Sequence, residues 1–155
     1  MKEAPGFAAL GTRRLWALLA VLVLFALGVR TLGSKRTFHN GHVFLFGNDS
    51  WCHMRRVVFA MGHGLRLPEP DPYLNFPDGG ATLWGGSFDR GVALAALAAG
   101  GRGWDRHTLE AFVSWIPPLL GALCVIPMFF FARRLYGDSA GIFSALALAI
   151  LPGHV

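Results

Sequence analysis

AFVSWIPPLLGALCVIPMFFFA, residues 111 to 132, holds no charged side chain in 22 positions. An uncharged run of about 18 residues or more is long enough to cross the hydrocarbon core of a bilayer. Pro117, Pro118 and Pro127 lie inside it. They would break a helix in water by removing backbone donors, whereas in a membrane bundle neighbouring helices re-satisfy the freed carbonyls. Trp115 stands near one end, where amphipathic rings favour the interface. The run is expected to be a transmembrane helix.

Working upstream, LWALLAVLVLFALGV (Leu15 to Val29) is a second uncharged run, between Arg14 and Arg30. Thr31, Leu32 and Gly33 extend it to a span over 15–33, with Arg30 snorkelling to the interface. A secretory signal peptide has a similar outline, with a small-residue site near Ala26-Leu27-Gly28. The long stretch before the apolar run and the weak cleavage site favour a retained helix. Downstream, 133–139 (RRLYGDS) is expected to be a tight hairpin connection. Gly137 can end one helix, and Asp138 or Ser139 can cap the next. A third apolar run, Ala140 to Leu151, meets Pro152-Gly153. We expect it to be a third span over 140–155, truncated by the end of the sequence.

Arg13-Arg14 and Arg133-Arg134 are separated by two crossings and share one side, which the positive-inside rule makes cytoplasmic. The N-terminus (1–14) and the 133–139 hairpin are then cytoplasmic, and loop 34–110 lies outside. The stretch Arg30 to Glu110 carries nine Lys/Arg, but seven Asp/Glu offset them, and loops beyond about 60 residues escape the rule. Composition agrees with a membrane protein, at 54% hydrophobic and 15% charged. The net charge of +5 raises nucleic acid as a partner. The cations are scattered, with no basic stripe interleaved with aromatics, so nucleic acid is set aside. Cys52 lies in the loop and Cys124 in an apolar run, which argues against a disulfide, and no metal-binding cysteine spacing is present.

The external loop is too long to be a mere connection. A helix is expected over about 50–63, because Met54, Val57, Val58 and Met61 fall on one face. Ser50 or Asp49 can cap its start and Gly64 its end. PEPDP (Pro68 to Pro72) forces extended chain, and Asn75 to Gly80 is a turn cluster. GVALAALAAGG (Gly91 to Gly101) is apolar but too short to span, so we expect it at the membrane surface or against the bundle.

Asp49 is the residue singled out for chemistry. A carboxylate at a helix N-terminus is favoured as the anion by the helix field. Ionised oxygens suit a hard divalent cation such as Mg²⁺ or Mn²⁺. A plain N-cap explains the same residue from local sequence alone. One carboxylate does not make a metal site, since hard cations take about six oxygens. Asp71, Asp78 and Asp89 each sit beside Pro, Gly or Arg, where turns or ion pairs account for them equally well. The missing ligands are expected beyond Val155. His53, Arg56 and His63 fall on one stripe that suits a lipid phosphate. A solvated helix face is the plainer explanation. Asn48-Asp49-Ser50 matches the N-x-S acceptor pattern, a match common by chance.

GNDSWCHMRRV (Gly47 to Val57) resembles the first external loop of the catalytic subunit of oligosaccharyltransferase, in its archaeal and bacterial form. DPYLNFPDG (Asp71 to Gly79), Phe88-Asp89, WIPPLLGALCVIPMFFFARRLYGDSAG (Trp115 to Gly141) and ILPG (Ile150 to Gly153) extend the likeness over roughly 10–155. The resemblance implies an all-α integral membrane protein, part of a multi-helix domain of the GT-C glycosyltransferase type. It implies transfer of a preassembled glycan from a polyprenyl (pyro)phosphate carrier to asparagine in an acceptor sequon. Asp49 is implied as the catalytic, metal-binding acid, near the acceptor amide. The chain ends before the second acidic motif, the later loop with a catalytic Glu and the C-terminal domain, so the fragment is expected to be inactive alone. It also carries Trp51-Cys52 where the family often has an aromatic pair.

Other classes remain in view. A different lipid-phosphate-sugar-dependent GT-C enzyme would place a close acidic pair where Asn48-Asp49 stands. A non-catalytic membrane module would not need Asp49 at all. A transporter would carry charges inside its spans, and the runs 111–132 and 140–151 have none.

Overall fold

The computed structural model describes residues 11–82 and 85–151. The extreme N-terminus and the Pro152-Gly153 stop lie outside them. The chain is mostly helical and divides into two compact units. The described parts of Met1–Arg36 and Pro117–Val155 form one, and Thr37–Ile116 forms the other.

In the first unit, α1 (Thr12–Thr31) presents Leu15, Leu19, Leu22 and Ala26 on one stripe. They pack with Ala122, Val125 and Phe129, and with Ala145 and Ala149. The expected second span is two helices rather than one. α5 (Arg106–Leu123) and α6 (Val125–Tyr136) meet at Cys124. Pro127 supplies the reason: it has no N–H to give the Leu123 carbonyl, and its ring crowds that oxygen. Helical bonds still bridge the join, with Cys124 N–H to Leu120 O at 3.0 Å and Met128 N–H to Cys124 O at 3.3 Å. α5 also begins five residues earlier than the expected Ala111, where Asp105 caps it by accepting from the Thr108 N–H at 2.8 Å.

α1, with the short turn that follows it, and the α5–α6 run are the helices long and apolar enough to cross a membrane among the described residues. α7 (Asp138–Ile150) is apolar but only 13 residues long. The expected hairpin between α6 and α7 shrinks to Gly137 alone, at φ +86°. Asp138, the first residue of α7, pairs with Arg133 at 2.5 Å. Gly141, Ala145 and Ala149 form a small-residue stripe along α7. A side chain at Gly141 would come within 3.0 Å of the Phe129 carbonyl, so α6 and α7 touch backbone to backbone there. Val21, Leu24, Phe131 and Phe143 point outward, as lipid-facing residues do.

Arg30 departs from the expected snorkelling. Its side chain is buried, and Nη1 donates to Ala26 O and Ala149 O while Nη2 donates to Leu148 O, each at 3.2 Å. One guanidinium thereby joins the last turns of two helices, and on α7 it serves the Leu148 and Ala149 carbonyls, which lack intrahelical donors. Gly121 makes room for it: a Cβ there would lie 2.6 Å from Arg30 Nε.

The second unit holds the site. A one-turn helix, α2 (Ser34–Thr37), precedes a minimal hairpin of β1 (Phe38–His39) and β2 (His42–Val43). The hairpin pairs Phe38 with Val43 around Asn40-Gly41, both at positive φ, the backbone that a two-residue turn of this kind demands. Phe38 stacks on Trp115 at 5.4 Å. These strands are a small exception to an all-α chain.

α3 (Gly47–Gly62) starts three residues earlier than expected. Met54, Val57 and Ala60 are its buried face, while Val58, placed there by periodicity, is 45% exposed. The helix closes through His63 and Gly64, with Leu65 N–H bonding Ala60 O at 2.8 Å. α4 (Ser87–Ala98) contains the GVALAALA stretch, and it is a core partner of α3. Its Val92, Ala93 and Ala96 meet Met54, Val57 and Ala60, with Leu109 and Val113 of α5 completing the core. Small side chains let α3 and α4 approach closely. A 3₁₀ turn at Gly101–Gly103 leads on to α5.

Candidate functional site

Asp49 stands in the first turn of α3, exposed, three residues after the extended Phe46. It is not the N-cap: no side chain caps this helix, and the Ser50 hydroxyl instead donates back to Phe46 O at 2.6 Å. The first-turn position still sets the carboxylate against the positive end of the helix field.

The carboxylate opens into a pocket of about 680 Å³. Asn48, Trp51, Cys52, Arg55 and Val58 of α3 line one side, and Tyr73, Leu74 and Arg106 come from elsewhere in the chain. Asp49 is the one carboxylate among these lining residues.

The Tyr73 wall is tied to α3 by a two-pronged ion pair. Arg55 places Nη1 at 2.5 Å from Asp71 Oδ1 and Nη2 at 2.6 Å from Oδ2. The Asp71 side chain is inaccessible to solvent, whereas Arg55 is 28% exposed. The Tyr73 N–H donates to the same carboxylate at 3.0 Å, and Asp71 exchanges both backbone bonds with Gly80. The Arg55 hydrogen bonds hold the Asp71 carboxyl below the usual carboxylate range, against the opposing effect of burial. Arg55 in turn is raised by the same partner. Its guanidinium carbon lies 4.3 Å from the Tyr73 ring centroid, a cation–π contact.

Arg56, expected to face a lipid phosphate, points the other way. Its side chain is 1% exposed and its Nε lies 2.7 Å from Asp89 Oδ2, also inaccessible. The N–H is not aimed at that oxygen, so the contact is an ion pair rather than a hydrogen bond. His53 joins the same aspartate through Nδ1 at 2.6 Å. His63 stacks on Phe59 at 3.9 Å. Of the His53, Arg56 and His63 stripe, the first two members fasten α3 to the start of α4, and His63 is exposed.

Arg55, Tyr73 and Arg106 are the pocket residues that sequence reasoning missed. The adjacent Arg55-Arg56 pair carried a signal, since neighbours about 100° apart on a helix face different surroundings. Nothing local marked Arg106. Both cysteines are free. No group of three or more metal-ligating side chains converges among the described residues.

The sequence profile of the family described as oligosaccharyl transferase STT3, N-terminal, matches residues 18–155. The chain belongs to this family. It is 33% identical over 136 residues to the Haloferax volcanii dolichyl-monophosphooligosaccharide–protein glycotransferase AglB, covering 87% of this chain and 13% of that protein. It is 30% identical over 139 residues to the Archaeoglobus fulgidus dolichyl-phosphooligosaccharide–protein glycotransferase 1, covering 86% of this chain and 22% of that protein. Glycotransferase 3 of the same organism is 25% identical over 150 residues, with 92% and 16% covered. The chain thus spans less than a quarter of the length of these family members. No solved structure matches it.

Proposed function

We propose that this chain is the N-terminal part of a membrane oligosaccharyltransferase, which transfers a glycan from a polyprenyl (pyro)phosphate carrier to asparagine in an acceptor sequon. Family membership supports the reaction class. The single observation that carries the site is Asp49, the one carboxylate among the described residues that line an open pocket, held at the head of α3.

The donor chemistry of Asp49 suits Mg²⁺ or Mn²⁺, since a carboxylate oxygen is what a hard cation takes. The described residues do not complete such a site, so Asp49 is proposed as one ligand among several, the rest supplied by the longer protein. When bound, the cation offsets negative charge on the departing lipid phosphate. Asp49 would hold that cation, and the Arg55–Asp71 clamp keeps the opposite wall of the pocket in place. Arg56 is too deeply buried to add a phosphate contact, and His53 is turned to Asp89.

We place the protein in the cell (inner) membrane, with 34–110 outside and 133–139 in the cytoplasm. α7 is proposed as the third membrane segment. Its support is Arg30, whose bonds to Leu148 and Ala149 bring the end of α7 level with the end of α1. The partners are membrane lipid, the lipid-linked oligosaccharide and an acceptor polypeptide.

The test is glycan transfer to an asparagine-containing peptide by the full-length protein, with Mn²⁺ titrated. Asp49→Ala and Asp49→Asn are expected to lose transfer, and added Mn²⁺ should restore part of it for Asp49→Asn only. Wild-type transfer by Asp49→Ala would end the proposal.

A further inference from the structure

Two guanidinium groups line the pocket that holds Asp49, and their circumstances differ. Arg55 is committed: both terminal nitrogens lie on the inaccessible Asp71 carboxylate. Drawing it away would strand a buried negative charge, which is strongly unfavourable. Arg106 is not committed in this way. Its side chain is 69% exposed, and its Nε donates to Glu110 Oε1 at 2.7 Å. That bond uses Nε alone. Among the described residues, the two terminal nitrogens of Arg106 have no hydrogen-bond or ion-pair partner.

Glu110 is only 12% exposed, so it is the fixed member of the pair. It acts as a handle that sets the plane of the guanidinium and leaves the outer fork unengaged, on a residue that lines the pocket. An open planar fork matches two oxygens of a phosphate. An exposed i,i+4 pair is weak, so a stronger anion need not break anything costly to engage it. Position narrows the choice of anion. α5 runs from Arg106 directly into an apolar stretch long enough to cross a membrane. A group held at Arg106 therefore sits at the watery end of a membrane helix, where the phosphate of a lipid carrier lies. Trp51, 48% exposed, adds an apolar wall to the same pocket.

We propose that Arg106 is a specificity-determining residue that receives the phosphate of the lipid-linked donor, with Glu110 as its positioning residue. This rests on the glycan-transfer reading above, which is what brings a lipid phosphate to the pocket.

The experiment uses full-length protein in a membrane mimetic, with donor titrated at saturating acceptor peptide and then the reverse. A polyprenyl phosphate bearing no glycan serves as competitor. Arg106→Ala is expected to raise the donor KM roughly tenfold or more, as loss of a charge-assisted contact does. It should weaken the competitor by the same factor and leave the acceptor KM unchanged. Arg106→Lys should recover part of the loss, keeping charge but not the fork. Glu110→Gln should shift the donor KM in the same direction by less. An unchanged donor KM, or a rise in the acceptor KM instead, overturns the assignment. So does a loss seen with the donor but not with the bare polyprenyl phosphate, which would place the contact on the glycan. The two proposals fail separately: transfer retained by Asp49→Ala defeats the transfer reading whatever Arg106 does. A normal donor KM for Arg106→Ala, in an enzyme that Asp49→Ala silences, defeats only the phosphate contact.

Discussion

Replacing Arg55 by Met removes the clamp between α3 and the Tyr73 wall while keeping most of the side-chain volume. Its magnitude follows from the geometry. Two charge-assisted bonds of 2.5 and 2.6 Å are lost, and Asp71, fully inaccessible, is left charged. Breaking a buried pair in this way costs about 3–5 kcal/mol when the remaining charge is sealed off. Here Arg55 is 28% exposed, so water enters the vacated space, and the Tyr73 N–H still serves the carboxylate at 3.0 Å. We expect about 2–3 kcal/mol in all. Hydrogen exchange of the α3 amides, followed by mass spectrometry on the whole protein in a membrane mimetic, reads this as an acceleration. At roughly tenfold per 1.4 kcal/mol, the rate near Val57 and Ala60 should rise about 30- to 140-fold. Arg55→Met combined with Asp71→Asn should be milder than the sum of the two, because the stranded charge is gone. Unchanged exchange in α3, or strict additivity, would show that the pair does not hold the pocket wall.

Arg30→Leu should raise hydrogen exchange at the end of α7 roughly tenfold, since the Leu148 and Ala149 carbonyls lose their donor; exchange unchanged there would refute the shared cap. Gly121→Ala should produce the same loosening, because its Cβ would lie 2.6 Å from Arg30 Nε. Combined with Arg30→Leu it should add little, which a double-mutant cycle reads directly. Acid is expected to act through Asp71. Its folded-state pKa is depressed, so the unfolded chain binds the proton first and the pair's stabilisation is lost as pH falls below about 4. The urea midpoint by tryptophan fluorescence should drop across that window in the wild type, and less in Asp71→Asn.

The uncharged runs that mark a membrane protein were plain in the sequence, because hydrocarbon length sets a threshold that few other structures reach. Helix α3 was legible from its apolar spacing, though its start was not: Ser50 and Asp49 looked like caps, while the chain turns instead at Phe46-Gly47. Asn40-Gly41 carries a turn signal for the β1–β2 hairpin, but the two-residue strands beside it are too short to show an alternation. GVALAALAA left its surroundings open, because small apolar residues read alike at a membrane surface and in a tight helix–helix contact; the contact with α3 is visible only in the fold. The same limit applies to the site. Asp49 stood out locally, yet the choice between Arg55 and Arg56 depends on where Asp71 and Asp89 arrive from distant sequence. Arg106 reaches the pocket through the tertiary path of the chain alone.

The one-residue junction at Gly137 has an evolutionary consequence. An inserted residue would rotate α7 by about 100° about its axis. Gly141, Ala145 and Ala149 would leave the α6 face, and Ala140, Ser144 and Leu148 would take their places, the first of them where only a hydrogen atom fits. Compensation would require repacking an entire helix at once, so insertions and deletions in descendants of this chain should be purged here. They should accumulate instead in the turns of the 37–116 unit away from Asp71 and Gly80, where added length disturbs no helix register.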